Sequence, residues 1–267
     1  MKKQFTSITL TAGCFVALLL SIASCSDKPE EVLPSNSNKT IPAEVIETFR
    51  QLGFDTETIR LEGESYLLEG DILVTPEELV GMSDNHHDTG GSKEEQYRVY
   101  NAVSCNGGRT ITIFGNLTGT LSSGLDWAIA NYNAVNTCFT FQRIYRGTAD
   151  ITITEIPGVW AYSGYPTSGN PYPGIYIGSG AASYGTNYVE CLFTHNIGHC
   201  MGMAHTDPFA GAGGCPNDVG STPGVVHIPG TPTGSDSNSI FNTCACANKA
   251  TTGELSTYDK AGFTYLY

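Results

Sequence analysis

Hydrophobic residues return at helical spacing in IPAEVIETFRQLGF, residues 41–54, where Val45, Ile46, Phe49 and Leu52 share one face and Gly53 supplies a stop. The next run, SYLLEGDILVTPEELV, changes period: YLL and DILV read as extended pieces on either side of Glu69-Gly70. Thr75-Pro76-Glu77-Glu78 then opens a second helix, with proline at a position that needs no amide hydrogen. Residues 41–80 thus form a small N-terminal unit, either a permanent subdomain or a propeptide. GMSDNHHDTGGSKEE, residues 81–95, loses the pattern and reads as a polar linker, on which His86 and His87 are solvated side chains rather than metal ligands.

From residue 96 to residue 267 the pattern is that of one larger domain. RTITIFG alternates like a strand, SSGLDWAIANYNAVN presents Leu125, Ile129 and Tyr132 on a helix face, and FTFQRIY and ADITITEI alternate again. PGIYIGSG is a further short strand. NYVECLFTHNIGHCMG has the length and apolar content of a buried helix ending at Gly202, and a loop-rich stretch leads to a last helix in LSTYDKAGFTYLY. Strand, helix, strands, helix, loops, helix is the order of a mixed α+β domain.

The N-terminus follows another logic. Lys2 and Lys3 precede GCFVALLLSIA, an apolar run too short to span a bilayer comfortably, and Ile22-Ala23-Ser24-Cys25 resembles a bacterial lipobox. That resemblance implies a signal peptide over residues 1–24 and a lipid on Cys25. The polar residues 25–40 would be a flexible tether, and the destination the outer membrane or cell surface, with the lipid as the only membrane contact. The alternative is an ordinary signal peptide with an incidental cysteine. The formal charge is −13, and −15 once two lysines and no acids leave with the signal, which excludes nucleic acid as a partner. Of nine cysteines, seven remain after Cys14 and Cys25 are set aside, so an exported chain would form disulfides and keep at least one thiol. Cys244 and Cys246 are too close to pair with each other without strain.

The chemistry gathers in THNIGHCMGMAH, residues 194–205. His195 and His199, four apart, share a helical face; Gly202 lets the chain turn sharply; His205 can return as a third ligand. Three imidazoles at ~2.0–2.1 Å from zinc leave one tetrahedral position open, the pattern of a catalytic rather than a structural site. Three of the chain's six histidines fall within the eleven residues 195–205, which argues against unrelated core histidines.

HxxxHxxGxxH resembles the zinc signature of the metzincin metallopeptidases, and the Ile-Gly pair within it resembles the dual-action HEIGH metallopeptidases, many of them bacterial lipoproteins. The likeness extends to IPAEVIETFRQLGFDTETI, YLLEGDILVTPEEL and the closing STYDKAGFTYLY. It implies a metzincin-like zincin fold with a twisted mixed sheet, an active-site helix and a loop-rich C-terminal part. It also implies one zinc ion on His195, His199 and His205, and protein or peptide substrates. SDSNSIFN resembles the turn that lies beneath the metal, with Ser239, Ile240 and Phe241 at its centre and phenylalanine where the family keeps methionine; the alternative is an unrelated loop. GIYIGSG, residues 174–180, resembles the edge strand that pairs with an extended substrate.

One departure is serious. Asn196 stands where the family has the glutamate that takes a proton from the attacking water and hands it to the leaving amine. An asparagine amide takes up no proton near neutral pH, and losing a positioned base costs ~10²–10⁴-fold in rate. Two outcomes compete: a metallopeptidase of reduced activity, or an inactive pseudopeptidase that binds zinc and peptide at the surface. Glu190, five residues before His195, sits roughly 500° round the helix and points away from the ligands. Asp207 would orient a ligand or cap a turn, and Asp218 and Asp236 lie in loops that could instead hold calcium, for which nothing else speaks. If residues 41–80 are inhibitory, an acid such as Asp71 would reach the metal; the sequence does not single it out.

Overall fold

The computed structural model describes residues 40–52, 54–84, 97–99, 101–206, 225–231, 236–247 and 251–267. The signal peptide, Cys25, the tether, His86, His87, Asp207, Cys215 and Asp218 lie outside the described residues. No helix among the described residues is long and apolar enough to cross a membrane.

The N-terminal segment begins with α1 (Ala43–Leu52), which buries Phe49 and Leu52 from its apolar stripe. Three short strands follow as an antiparallel meander: β1 (Arg60–Glu62), β2 (Ser65–Leu68) and β3 (Ile72–Val74). Then α2 (Pro76–Asp84) starts on a reciprocal cap in which the Glu78 amide donates to Thr75 Oγ1 at 3.1 Å and the Thr75 amide to Glu78 Oε2 at 2.8 Å. The helix therefore runs four residues into the stretch expected to be linker, because the cap and Met82 packing outweigh the glycine at 81. A small core of Phe49, Leu52, Leu68, Ile72, Val74 and Leu79 forms here, closed by Val99 and Tyr165.

The larger sheet grows from β5 (Arg109–Phe114), with β6 (Phe139–Ile144) and β7 (Ile151–Ile156) parallel on its two sides. β9 (Gly174–Gly178) lies parallel to β7 and antiparallel to β8 (Ala161–Ser163). The meander joins at β8, where Ile72 and Ser163 form a parallel bridge, so one sheet runs β1-β2-β3-β8-β9-β7-β5-β6. Parallel neighbours need crossovers, and α3 (Gly119–Asn133) supplies the one between β5 and β6, starting three residues earlier than expected. A separate ribbon pairs β4 (Tyr97–Val99) with β10 (Val225–His227). Residues 174–180 do not form an edge strand: β9 has partners on both sides. Alternation marked the strand, but it carries no information about which neighbours arrive from elsewhere in the chain.

The helix α4 (Thr186–Met201) packs on α3 and is buried over almost its whole length, as its continuous apolar run predicts. α5 (Thr257–Leu266) starts at Ser256 with a capping box closed by Asp259. Its terminal Tyr267 hydroxyl donates to the Met201 carbonyl and receives the Val103 amide, tying the end of α5 to the end of α4. Disulfides join Cys105 to Cys138 and Cys191 to Cys246, the second fastening α4 to the loop before α5. Cys244 is disulfide-bonded as well, and Cys200 is a buried free thiol. The two cysteines of Cys244-Ala-Cys246 thus have separate partners.

Candidate metal centre

The buried face of α4 carries His195 and His199 one turn apart. The helix ends where Gly202 takes φ 104°, a left-handed conformation that a side chain would strain, and the Met203 amide closes back on the Gly198 carbonyl at 2.9 Å. That reversal brings His205 under the same space. The Nε2 atoms of His195 and His199 lie 2.8 Å apart, and those of His195 and His205 3.3 Å apart.

Each imidazole is fixed from its outer side. His195 Nδ1 donates to the Ile240 carbonyl at 2.6 Å and His199 Nδ1 to the Met203 carbonyl at 2.8 Å. His205 Nδ1 lies 2.8 Å from a carboxylate oxygen of Glu69. A carbonyl can only accept, so His195 and His199 each carry a proton on Nδ1 and leave Nε2 to face the shared space.

Asp71 completes the group. It is the first residue after the Glu69-Gly70 turn between β2 and β3, and its Oδ2 lies 2.8 Å from His195 Nε2 and 3.7 Å from His199 Nε2. Its Oδ1 lies 3.3 Å from His205 Nε2 and makes no hydrogen bond. The Asp71 carbonyl accepts the Ser163 amide at 2.9 Å, which anchors this turn to β8. Burial opposes charge on Asp71, but the imidazoles of His205 and His195 outweigh it and hold the carboxyl well below the usual range. Burial, together with the neighbouring His195, pushes His199 down to about 4 and keeps it neutral. For His205 burial also works against charge, but Asp71 and Glu69 reverse the sign and hold its pKa well above the usual imidazole value.

These residues fit a metal ion. Two ring nitrogens crowd to within 2.8 Å of one another, and a buried carboxylate oxygen without a donor is costly. A shared cation relieves both. Ligand atoms of Asp71, His195, His199 and His205 all lie within 4.8 Å of one another, and three nitrogens with one oxygen is a donor set suited to zinc.

The floor beneath the histidines is the turn at Ser239, Ile240 and Phe241. Asp259 of α5, fully buried, accepts from Ser239 Oγ at 2.6 Å and from the Ile240 amide at 2.9 Å. The same residue offers its carbonyl to His195, so α5 holds a ligand in place through one residue of turn. The Phe241 ring lies 6.1 Å from the His195 ring. Phenylalanine is wider than methionine here, and Gly198 makes the room: a Cβ on Gly198 would fall 2.0 Å from Phe241 Cε1. The glycine inside HNIGH is therefore needed for packing against this floor.

Asn196 is 1% exposed; its Nδ2 donates to the Leu192 carbonyl at 2.9 Å and its Oδ1 has no partner. No group on the side chain accepts a proton. Glu190 turns away from the metal site, as expected, and binds Asn131 Nδ2 and the Gly253 amide. Asp236 is taken up by the Asn238 amide and Ser256 Oγ in the loop before α5. The structure brings Asp71 to the three histidines together with Glu69, which sequence reasoning passed over. Two acids flanking a glycine between two apolar strands was the available signal.

A family model described as dual-action HEIGH metallo-peptidase matches residues 66–267. Two solved structures of myroilysin are similar in fold. One is 18% identical, covering 64% of this chain and 96% of that one, with a TM-score of 0.44. The other is 19% identical, covering 74% and 98%, with a TM-score of 0.43. High choriolytic enzyme 1, a hatching enzyme zinc-protease from the medaka fish Oryzias latipes, is 16% identical, with coverages of 68% and 98% and a TM-score of 0.42. No curated protein matches the chain. The family model spans the strand that precedes Asp71, all three histidines and the closing helix, and the chain belongs to the dual-action HEIGH metallopeptidase family, with HNIGH at residues 195–199.

Proposed function

We propose that this metallopeptidase is a zinc enzyme acting on protein or peptide substrates, held latent by its own N-terminal segment and slowed by Asn196. The observation that carries the reading is the convergence of the Nε2 atoms of His195, His199 and His205 with the undonated Asp71 oxygen. His195, His199 and His205 would hold the ion, with Asp71 as a fourth ligand. Zinc supplies Lewis-acid polarisation of a carbonyl and lowers the pKa of water toward ~7. Asp71 would take the fourth position that a substrate carbonyl or water would otherwise use, and β3 pairs with β8 beside it. Asn196, with its amide donor committed to Leu192, leaves proton removal without a base. The apolar run ending in Ile22-Ala23-Ser24-Cys25 supports export as a lipoprotein anchored through Cys25, with residues 41–84 kept on the chain as a subdomain that covers the site.

The test is hydrolysis of an unfolded protein by the zinc-loaded chain and by its Asp71→Ala form. Slow cleavage that a chelator abolishes, and that Asp71→Ala accelerates, is expected. Chelator-resistant cleavage would overturn the zinc assignment. Zinc binding with no turnover in either form would favour the binding-only alternative, to which the engaged Asn196 amide already lends support.

A further inference from the structure

We infer that Glu69 is a positioning residue of the metal centre, holding His205 by its outer nitrogen, so that the N-terminal segment helps to build the site it covers. The inference rests on the metal reading above. His195 and His199 are set by α4, and both find their Nδ1 acceptors on backbone carbonyls of the larger domain. His205 lies beyond the helix end, on a loop, and its acceptor comes from a side chain 136 residues earlier in the chain.

Two carboxylates bracket this one ring. Glu69 Oε2 is 2.8 Å from Nδ1, and Asp71 Oδ1 is 3.3 Å from Nε2. Here Glu69 takes φ 52° and Gly70 φ 90°, and this double left-handed turn folds the chain around the ring. A glutamate holds such a backbone only where its surroundings fix it. The hairpin turn itself is closed by the Asp71 amide on the Leu68 carbonyl at 3.2 Å, and the Glu69 carboxylate takes the His205 bond on one oxygen and the Asp55 amide, at 3.3 Å, on the other. The carboxylate holds His205 by Nδ1 and so leaves Nε2 to face the ion. Removing the segment would therefore take away a ligand and also the outer support of another ligand.

The experiment measures zinc affinity of the whole chain, by competition with a chromophoric chelator, for the native, Glu69→Gln and Glu69→Ala forms. Melting of each zinc-free form is recorded alongside. Glutamine still accepts from Nδ1 but lacks the charge, so a loss of several-fold is expected; alanine removes the support, and about 10–100-fold is expected. If Glu69→Ala does not fold, Glu69→Gln, which keeps the side chain's shape, decides the matter. Equal zinc affinity in all folded forms, with only the zinc-free melting lowered, would overturn the role of Glu69 and leave the metal reading standing. A native chain that binds no zinc would overturn both.

Discussion

Placing glutamate at position 196 of a chain that also carries Asp71→Ala is expected to raise peptide hydrolysis by about 10²–10⁴-fold over Asp71→Ala alone, the usual contribution of a positioned base. Asn196 sits on the buried face of α4 between two histidines whose rings converge, so the position itself is right for proton transfer. What it lacks is a group that accepts a proton. Glutamate adds a methylene and a carboxylate, and it gives up the bond from Nδ2 to Leu192, whose carbonyl already belongs to a helix. The measurement is kcat at matched zinc content. A gain confined to the glutamate form assigns the deficit to the base; equal rates would mean that another residue takes the proton.

Zinc at a free concentration about 1,000 times its Kd is expected to stabilise the fold by about 4 kcal/mol. At about 2–4 °C per kcal/mol for a domain of this size, calorimetry should show the melting temperature rising by roughly 8–16 °C over the chelated protein. The gain has a local origin: the ion takes up ring nitrogens crowded to 2.8 Å and partners an orphaned carboxylate oxygen. The disulfides Cys105–Cys138 and Cys191–Cys246 fasten the scaffold independently of metal, so zinc is expected to tighten a folded chain rather than to fold it. His199→Ala should abolish the increment, read as the difference between zinc-loaded and chelated forms of the same variant, since losing a fully buried ring and its bond to the Met203 carbonyl lowers the melting of both.

The α+β class was legible because periodicity is local: α1, α4, α5 and the strands β5, β6 and β7 each announce themselves within a dozen residues. So was the histidine spacing, since four residues of helix followed by a glycine cap fix where three rings can go. The role of Phe241 needed the packing against Gly198, for no pattern says which aromatic side chain meets which glycine. Strand order was out of reach for the same reason. Nothing in GIYIGSG says that β8 will flank it, or that β3 will cross from the N-terminal segment to pair with β8. Asp71 could be named as one acid among several, but its choice depends on the turn at Glu69 and Gly70 and on a bridge to Ser163, both tertiary. Glu69 escaped notice because its partner lies 136 residues away.

The central claim is that one zinc ion sits on His195, His199 and His205 with Asp71 as the fourth ligand. Anomalous diffraction at the zinc edge from crystals of the whole chain tests it most directly. The account predicts a single strong peak within ~2.0–2.2 Å of the three Nε2 atoms and of an Asp71 carboxylate oxygen. A zinc-loaded chain whose peak lies elsewhere, or whose peak sits on the three histidines with Asp71 turned away, would contradict it.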